Sequence, residues 1–498
     1  MPNKSVADDN HKYFKYFIYL SLGITIFRLL YINAINLAPQ EAYYWNYSRH
    51  LALSYFDHPP MLAYMIYIFT HLGGQTEFFV RISCVICFFG LTCLIYLTGR
   101  LLFSEKVGFF SAMLSNSVLI FAMGATIATP DTPMVFFWML SFYSFSKLIF
   151  TENKKWWYFW GISAGLALLS KYTAVFIVPS VFLFLIFSKQ DRKWLLSKEP
   201  YLAVILAILV FSPVIVWNAQ NSWASFVFQS YRRSHEIGSL SARHFFGYLG
   251  TQMGVVSPLV YLGLIYATIQ SGTTGFKWND RRFLLCFFWS FPMILFFTLV
   301  ATKYWVKMNW VSAAYLASCI SLMALYFQLV ENKKRWVRTF GITALTVSLT
   351  FTLVAHILPA VKALPIPASL DTVTGWKKLA RRVEEERREM REGTLVVGYG
   401  YGVPSEIAFY TSPQLETYSN NIVGERGLQF DFWSKPDEFL GKDMILVYGE
   451  KEKYKNPEKL KEFFVSVDQA EPLRIYRGKK VLTTFYIFRC YGYEGPGS

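Results

Sequence analysis

Two short polar segments near the start of an otherwise apolar chain carry the residue types that acid–base and phosphate chemistry require. The first reads Gln40-Glu41-Ala42-Tyr43-Tyr44-Trp45 and the second Tyr55-Phe56-Asp57-His58-Pro59-Pro60. A carboxylate can take a proton from a hydroxyl, or bind a divalent ion beside a histidine. Lysine and arginine hold phosphate, whose negative charge grows as a bond to it breaks. Rings such as Tyr43, Tyr44 and Trp45 stack on sugars, and equally form the aromatic belt at a membrane surface. Further along, Asp131 lies in Thr129-Pro130-Asp131-Thr132-Pro133 and Lys171 in Ser170-Lys171-Tyr172. Gln229, Arg232, Arg233, His235, Arg243 and His244 fall in one connecting stretch, and Lys303, Lys307 and Asn309 in another. Taken singly each has a plain structural alternative, Asp131 as a helix N-cap and His244 as a surface histidine. Their shared placement is what favours chemistry.

That placement follows from the elements around them. The chain has 498 residues, of which 54% are hydrophobic, 19% aromatic and 16% charged, against roughly 25% charged in soluble domains. Runs of about 17–25 apolar residues recur, long enough to cross a bilayer. Eleven spans are expected, at about 14–34, 79–102, 107–127, 132–150, 156–170, 173–187, 202–218, 246–270, 282–301, 310–330 and 338–357. The short fifth and sixth meet at Ser170-Lys171-Tyr172 as a bent hairpin. Basic residues concentrate in alternate loops: Lys4, Lys12 and Lys15, Arg100 and Lys106, Lys154 and Lys155, Lys189 to Lys198, Lys277 to Arg282, and Lys333 to Arg338. The positive-inside bias then puts the N-terminus in the cytoplasm. The loop at 37–77, and everything beyond about 359, falls on the outer face. The first span reads as an uncleaved anchor. These loops explain most of the net charge of +16, so no nucleic-acid partner is expected. A charge at the centre of a span costs about 3 kcal/mol on insertion scales, so ionisable residues within or near the spans, gathered here at their outer ends, call for partners or a function.

Five cysteines lie in expected spans and Cys490 alone in the tail, which offers neither a disulfide framework nor paired metal thiols. The tail alternates expected strands at Thr394–Tyr399, Asp443–Tyr448 and a hairpin at Gly478 with helices at Trp376–Glu392, Ser405–Tyr410 and Pro457–Phe464, the pattern of a small α/β domain. Gly398-Tyr399-Gly400-Tyr401-Gly402 lacks both the dinucleotide order and a Walker lysine. The expected architecture is therefore an all-α membrane bundle over 1–358 with a C-terminal extracytoplasmic α/β domain over 359–498.

The succession EAYYW, YFDHPP, TPD and a glycine-rich span ending in Ser170-Lys171-Tyr172 resembles bacterial integral-membrane glycosyltransferases of the GT-C fold, the broad family of protein mannosyltransferases and the lipid A aminoarabinose transferase. The resemblance covers residues 14–330 well and the tail more loosely. It implies a sugar donor on undecaprenyl or a related polyprenyl phosphate, a glycolipid acceptor such as lipid A, and an inverting displacement at the periplasmic face of the bacterial inner membrane, with or without a divalent metal ion. The family's first-loop acidic pair is Asp-Glu; here Gln40 leaves Glu41 as the one carboxylate there. By the resemblance Glu41 is the base or a substrate-orienting carboxylate, and Asp131 a second acidic group at the sugar. Asp57 and His235 are implied metal ligands, Gln229 being the alternative to His235 by spacing. His58 replaces a lysine that faces the lipid phosphate, and Lys171, Arg232, Arg233 and Lys303 are the other expected phosphate contacts. Tyr43 and Tyr44 are the expected sugar-facing rings.

Three other readings compete, one of them a binding or scaffold protein, which would not lose activity on removal of one carboxylate. Within the class, a protein O-mannosyltransferase would put sugar on protein. A lipid-linked-sugar flippase would place its charges near mid-membrane and show internal repeats, whereas the polar groups here gather at one face and no repeat is evident.

Overall fold

The computed structural model describes residues 4–232, 238–332, 335–361, 367, 371–449 and 457–496. Most of them are helical. In chain order the helices are α1 (Lys4–Tyr31), α2 (Pro39–Arg49), α3 (Met61–Gly73), α4 (Glu77–Leu102), α5 (Glu105–Ser117), α6 (Leu119–Gly124), α7 (Asp131–Thr151), α8 (Lys155–Ser170), α9 (Ile177–Phe187), α10 (Glu199–Gln220), α11 (Ala224–Val227), α12 (Ala242–Val256), α13 (Pro258–Trp278), α14 (Arg281–Val300), α15 (Ala314–Glu331) and α16 (Arg335–Ala360). Polar side chains start several of them. Thr76 accepts the Phe79 N–H at the head of α4, Ser104 the Val107 N–H before α5, and Asp280 the Arg282 N–H before α14.

Among the described residues seven helices are long and apolar enough to cross a membrane, and the bent pair α12 and α13 makes an eighth candidate. Two expected spans take another form. The run at 107–127 breaks at Val118 into α5 and α6. The Ser117 carbonyl beside the break accepts the hydroxyls of Ser348 (2.9 Å) and Thr352 (2.7 Å) from α16, so it keeps its hydrogen bonds without a continuous helix. The run at 246–270 turns by 106° between α12 and α13. Pro258 supplies no N–H and bars its predecessor from helical backbone, and Ser257 sits at φ 77°. The hairpin at Ser170-Lys171-Tyr172 forms as expected: Lys171 is extended and a 3-10 turn, Tyr172–Phe176, leads into α9.

Small residues let the helices approach closely. A Cβ on Gly161 would lie 2.5 Å from the Ala203 carbonyl and one on Gly165 2.6 Å from Val210 Cβ, so α8 meets α10 almost backbone to backbone. At one end of the bundle the basic loops are tied by ion pairs, Arg281 to Asp191 (2.7 Å), Lys154 to Glu199 (2.6 Å) and Lys193 to Glu152 (2.8 Å). The two helices of the first polar loop, α2 and α3, lie at the other end.

The tail adds α17 (Trp376–Arg388), β1 (Leu395–Gly398), α18 (Gly402–Tyr410), β2 (Thr417–Tyr418), α19 (Phe430–Trp433), β3 (Met444–Gly449), β4 (Phe464–Gln469), β5 (Leu473–Arg477) and β6 (Lys480–Tyr493). The strand order is β2-β1-β3-β6-β4, with β5 also on β6. β1 runs parallel to β2 and β3, and β6 antiparallel to β3, β4 and β5. Helix α17 buries Leu379, Ala380 and Val383 as its apolar stripe predicts. The expected helix near Pro457–Phe464 is only the short 3-10 turn Pro457–Lys459, followed by β4. The tail is packed onto the first polar loop, where Phe409 and Phe430 join Tyr43, Trp45 and Tyr47 in one apolar cluster.

Candidate functional site

Helix α2 is buried along most of its length, and its carboxylate is saturated. Glu41 accepts the Ala38 N–H (2.9 Å) and the Ala128 N–H (2.8 Å). Arg81 from α4 donates to both of its oxygens, Nε to Oε1 at 2.7 Å and Nη2 to Oε2 at 2.5 Å. The remaining guanidinium donors reach the carbonyls of Ile32, Ile35 and Asn36 at 2.7–2.9 Å. Both side chains are fully buried. The pair pins the end of α1, the start of α2 and the segment ahead of Asp131 to one another. Arg81 was not singled out from sequence; an arginine one turn into a long apolar helix, opposite the end that carries Arg100, was the signal that could have found it.

Asp57 is placed differently. Its Oδ1 accepts the hydroxyls of Tyr43 (3.3 Å) and Tyr47, its carbonyl accepts the Gln229 amide (2.7 Å), and Lys307 is the nearby cation. The residue is half-buried. Burial raises its carboxyl above the ordinary carboxylate range, and the two hydroxyls and Lys307 pull back against that rise. The Tyr43, Tyr44 and Tyr47 hydroxyls are pushed well up by burial and by the Asp57 charge. Tyr44 also feels Asp131, and its ring meets His58 edge-on at 5.6 Å, so it bridges the two acidic residues.

Asp131 is the first residue of α7, but its side chain does not cap the helix. Its Oδ1 accepts Lys171 Nζ (2.7 Å) and its Oδ2 the Asn309 amide (2.6 Å). Lys171, an expected phosphate contact, is therefore a buried ion-pair partner. The exposed Lys303 makes no side-chain contact with Asp57 or Asp131 among the described residues. Arg232 ends the π-helical turn Phe228–Arg232, and Arg233 and His235 lie outside the described residues. Among the described residues no three His, Cys, Asp or Glu side chains gather as a metal-ligand set.

The tail supplies further residues that carry no motif of their own. The Gln429 N–H donates to the Tyr43 hydroxyl (3.1 Å), and its Oε1 accepts the Phe56 N–H (2.6 Å). The Tyr401 ring lies 4.8 Å from Tyr43. The glycine-rich run around it is an approach device: a Cβ on Gly402 would come within 2.8 Å of Pro39 Cβ. Glu406 of α18 is fully buried, and neither carboxylate oxygen has a hydrogen-bond partner among the described residues. Burial first, and then Glu41, pushes it well above the usual range.

Residues 57–217 match the family model described as dolichyl-phosphate-mannose-protein mannosyltransferase. The chain is 25% identical over 329 residues to the lipid A galacturonosyltransferase RgtD of Rhizobium johnstonii, covering 65% of this chain and 68% of that one. It is also 25% identical over 279 residues to the undecaprenyl phosphate-alpha-4-amino-4-deoxy-L-arabinose arabinosyl transferase 2 of Proteus mirabilis, covering 52% of this chain and 48% of the relative. The chain carries a GT-C glycosyltransferase domain. The glycosyltransferase shares its fold with ArnT from Cupriavidus metallidurans bound to undecaprenyl phosphate, at 12% identity and a TM-score of 0.66 over 96% of this chain and 98% of that one. The Archaeoglobus fulgidus oligosaccharyltransferase aligns at 12% identity and a TM-score of 0.53, over 86% of this chain and 69% of that one. The candidate site thus offers one half-buried carboxylate with raised proton affinity that feels the charge of Lys307, and one carboxylate locked to a lysine.

Proposed function

We propose that this chain moves a sugar from a polyprenyl-phosphate donor to lipid A or another envelope glycolipid, with Asp57 at the reacting centre. The observation that carries the reading is the surroundings of Asp57: two tyrosine hydroxyls donate to a carboxylate that is only partly buried and that feels the charge of Lys307. In the displacement an acceptor oxygen forms a bond to the sugar's anomeric carbon while the bond from that carbon to the lipid phosphate breaks. Asp57 takes the acceptor proton, and the phosphate leaves with the electron pair. Lys307 and His58 stabilise the leaving phosphate, with Arg232, Arg233 and Lys303 as further phosphate contacts. Tyr43 and Tyr44 flank the sugar. Asp131 orients it while Lys171 holds the carboxylate in place, and Glu41 acts through Arg81 as a positioning residue. A divalent ion, if the enzyme uses one, would take Asp57 and His235 as ligands and would supply charge to stabilise the leaving phosphate.

The names of the two relatives support a lipid-linked donor and a lipid A acceptor, and favour glycolipid over protein as acceptor. The same reading proposes eleven spans, a cytoplasmic N-terminus and a division into 1–358 and a periplasmic 359–498. Mass spectrometry of lipid A and core glycolipid from cells with and without the protein tests it. A sugar-sized mass increment that depends on Asp57 is expected; an unchanged glycolipid with sugar-modified envelope proteins would replace this reading with protein glycosylation.

A further inference from the structure

Arg426 stands where three distant parts of the chain meet. Its guanidinium lies 4.6 Å from the centre of the Phe56 ring and 5.0 Å from that of Phe228, and those rings lie 4.7 Å from each other. Phe56 precedes Asp57, and Phe228 precedes Gln229, whose amide holds the Asp57 carbonyl. Three residues on from Arg426, Gln429 binds Phe56 and Tyr43, so the segment is fixed against the site wall.

A guanidinium over an aromatic face spends its flat surface on the ring and leaves its N–H groups free in the plane. Arg426 is exposed, and among the described residues no carboxylate pairs with it. Two buried arginines show the contrast: Arg81 is held by Glu41 and Arg477 by Asp371. A side chain whose direction is set by two rings while its donors stay open is preorganised for an anion with two oxygens in one plane. The adjoining wall is apolar, since the Phe432 ring lies 5.4 Å from both Phe56 and Trp217.

We propose that Arg426 is a further substrate-binding residue, which grips the phosphate of a lipid substrate at the mouth of the Asp57 site while the surrounding rings meet its apolar part. This rests on the proposed glycosyl transfer. The phosphate belongs either to the polyprenyl donor or to the glycolipid acceptor, and the test separates them. Binding of undecaprenyl phosphate, of bis-phosphorylated lipid A and of the same lipid A stripped of phosphate is measured on the full-length protein in nanodiscs. Arg426→Met keeps a stem on the rings and removes the charge; Arg426→Lys restores a charge without the fork. Thermal melting of each variant confirms folding.

A loss of roughly tenfold or more with Arg426→Met, partly restored by Arg426→Lys, is expected for one phosphorylated probe. Loss for undecaprenyl phosphate assigns the residue to the donor; loss for phosphorylated but not stripped lipid A assigns it to the acceptor. Unchanged affinity for all three probes overturns the proposal, as does an equal loss for phosphorylated and stripped lipid A, which would mark a packing role. A wild-type protein that binds neither phosphorylated probe overturns the glycosyl-transfer reading itself, and this assignment with it.

Discussion

Glu41 and Asp57 belong to the same polar loop, yet their surroundings differ, and the proposed transfer gives them opposite roles. Every oxygen lone pair of Glu41 faces a donor, two from Arg81 and two from backbone. Glu41→Gln leaves the Arg81 charge buried without its counterion, a change that costs about 3–5 kcal/mol. Its expected signature is a lower melting temperature and a reduced yield of folded protein, read by size-exclusion chromatography and thermal unfolding. Asp57→Asn should melt like the wild type and lose transfer by about 10²–10⁴-fold, the usual worth of a general base. The raised proton affinity of Asp57 also sets the pH dependence. As the base, Asp57 works when ionised, so transfer should climb with pH through a midpoint above the ordinary carboxylate range, and Asp57→Asn should lack that limb. The acidic residues were legible in the sequence because charge is scarce in an apolar chain. Their roles were not, because whether a carboxylate is saturated depends on partners such as Arg81, 40 positions away.

The helix α18 carries the clearest mismatch between an element and its sequence, a glutamate on its buried face. An unpartnered buried polar group costs about 1–3 kcal/mol, so Glu406→Leu should raise the melting temperature while the α2 contact survives. The sign with pH follows from the raised proton affinity of Glu406. The folded protein keeps the proton that the unfolded chain releases, so stability falls as pH rises from the ordinary glutamate range to the raised folded value. Melting followed from pH 4 to pH 8 should show a shallower decline in Glu406→Leu than in the wild type. At α8, Gly165→Val should separate α8 from α10 and depress folding, because the displaced atoms are the Ala207 carbonyl and Val210 Cβ and not a movable side-chain tip. Elements with one strong signal were readable: long apolar runs, the α17 stripe and the Gly478 turn. The break at Val118 was hidden because its compensation comes from hydroxyls more than 200 positions later. The bend at Ser257-Pro258 was written locally, but a proline inside an apolar run is also compatible with a kinked continuous span.

At the scale of the molecule, sequence and structure agree on a sided bundle. The ion-paired basic loops hold one end, and the first polar loop, Asp131, Lys171 and Asn309 hold the other. Cysteine labelling in intact cells checks how that bundle sits in the membrane. A reporter beside Lys193 should react only after permeabilisation, and one at Leu440 should react before it; the reverse pattern would invert the proposed topology. The sequence showed that the tail was a separate α/β texture, but its docking onto α2 was not visible, because no local pattern encodes which surface a glycine-rich turn will meet.

That docking has a consequence for how the protein is made. Phe56 and its partner Gln429 are separated by 373 residues, which a ribosome takes roughly 20–75 s to add at about 5–20 residues per second. For that interval the first loop is already made while its aromatic surface lacks the contacts that later bury it, so a segment translated much later is the one that seals it.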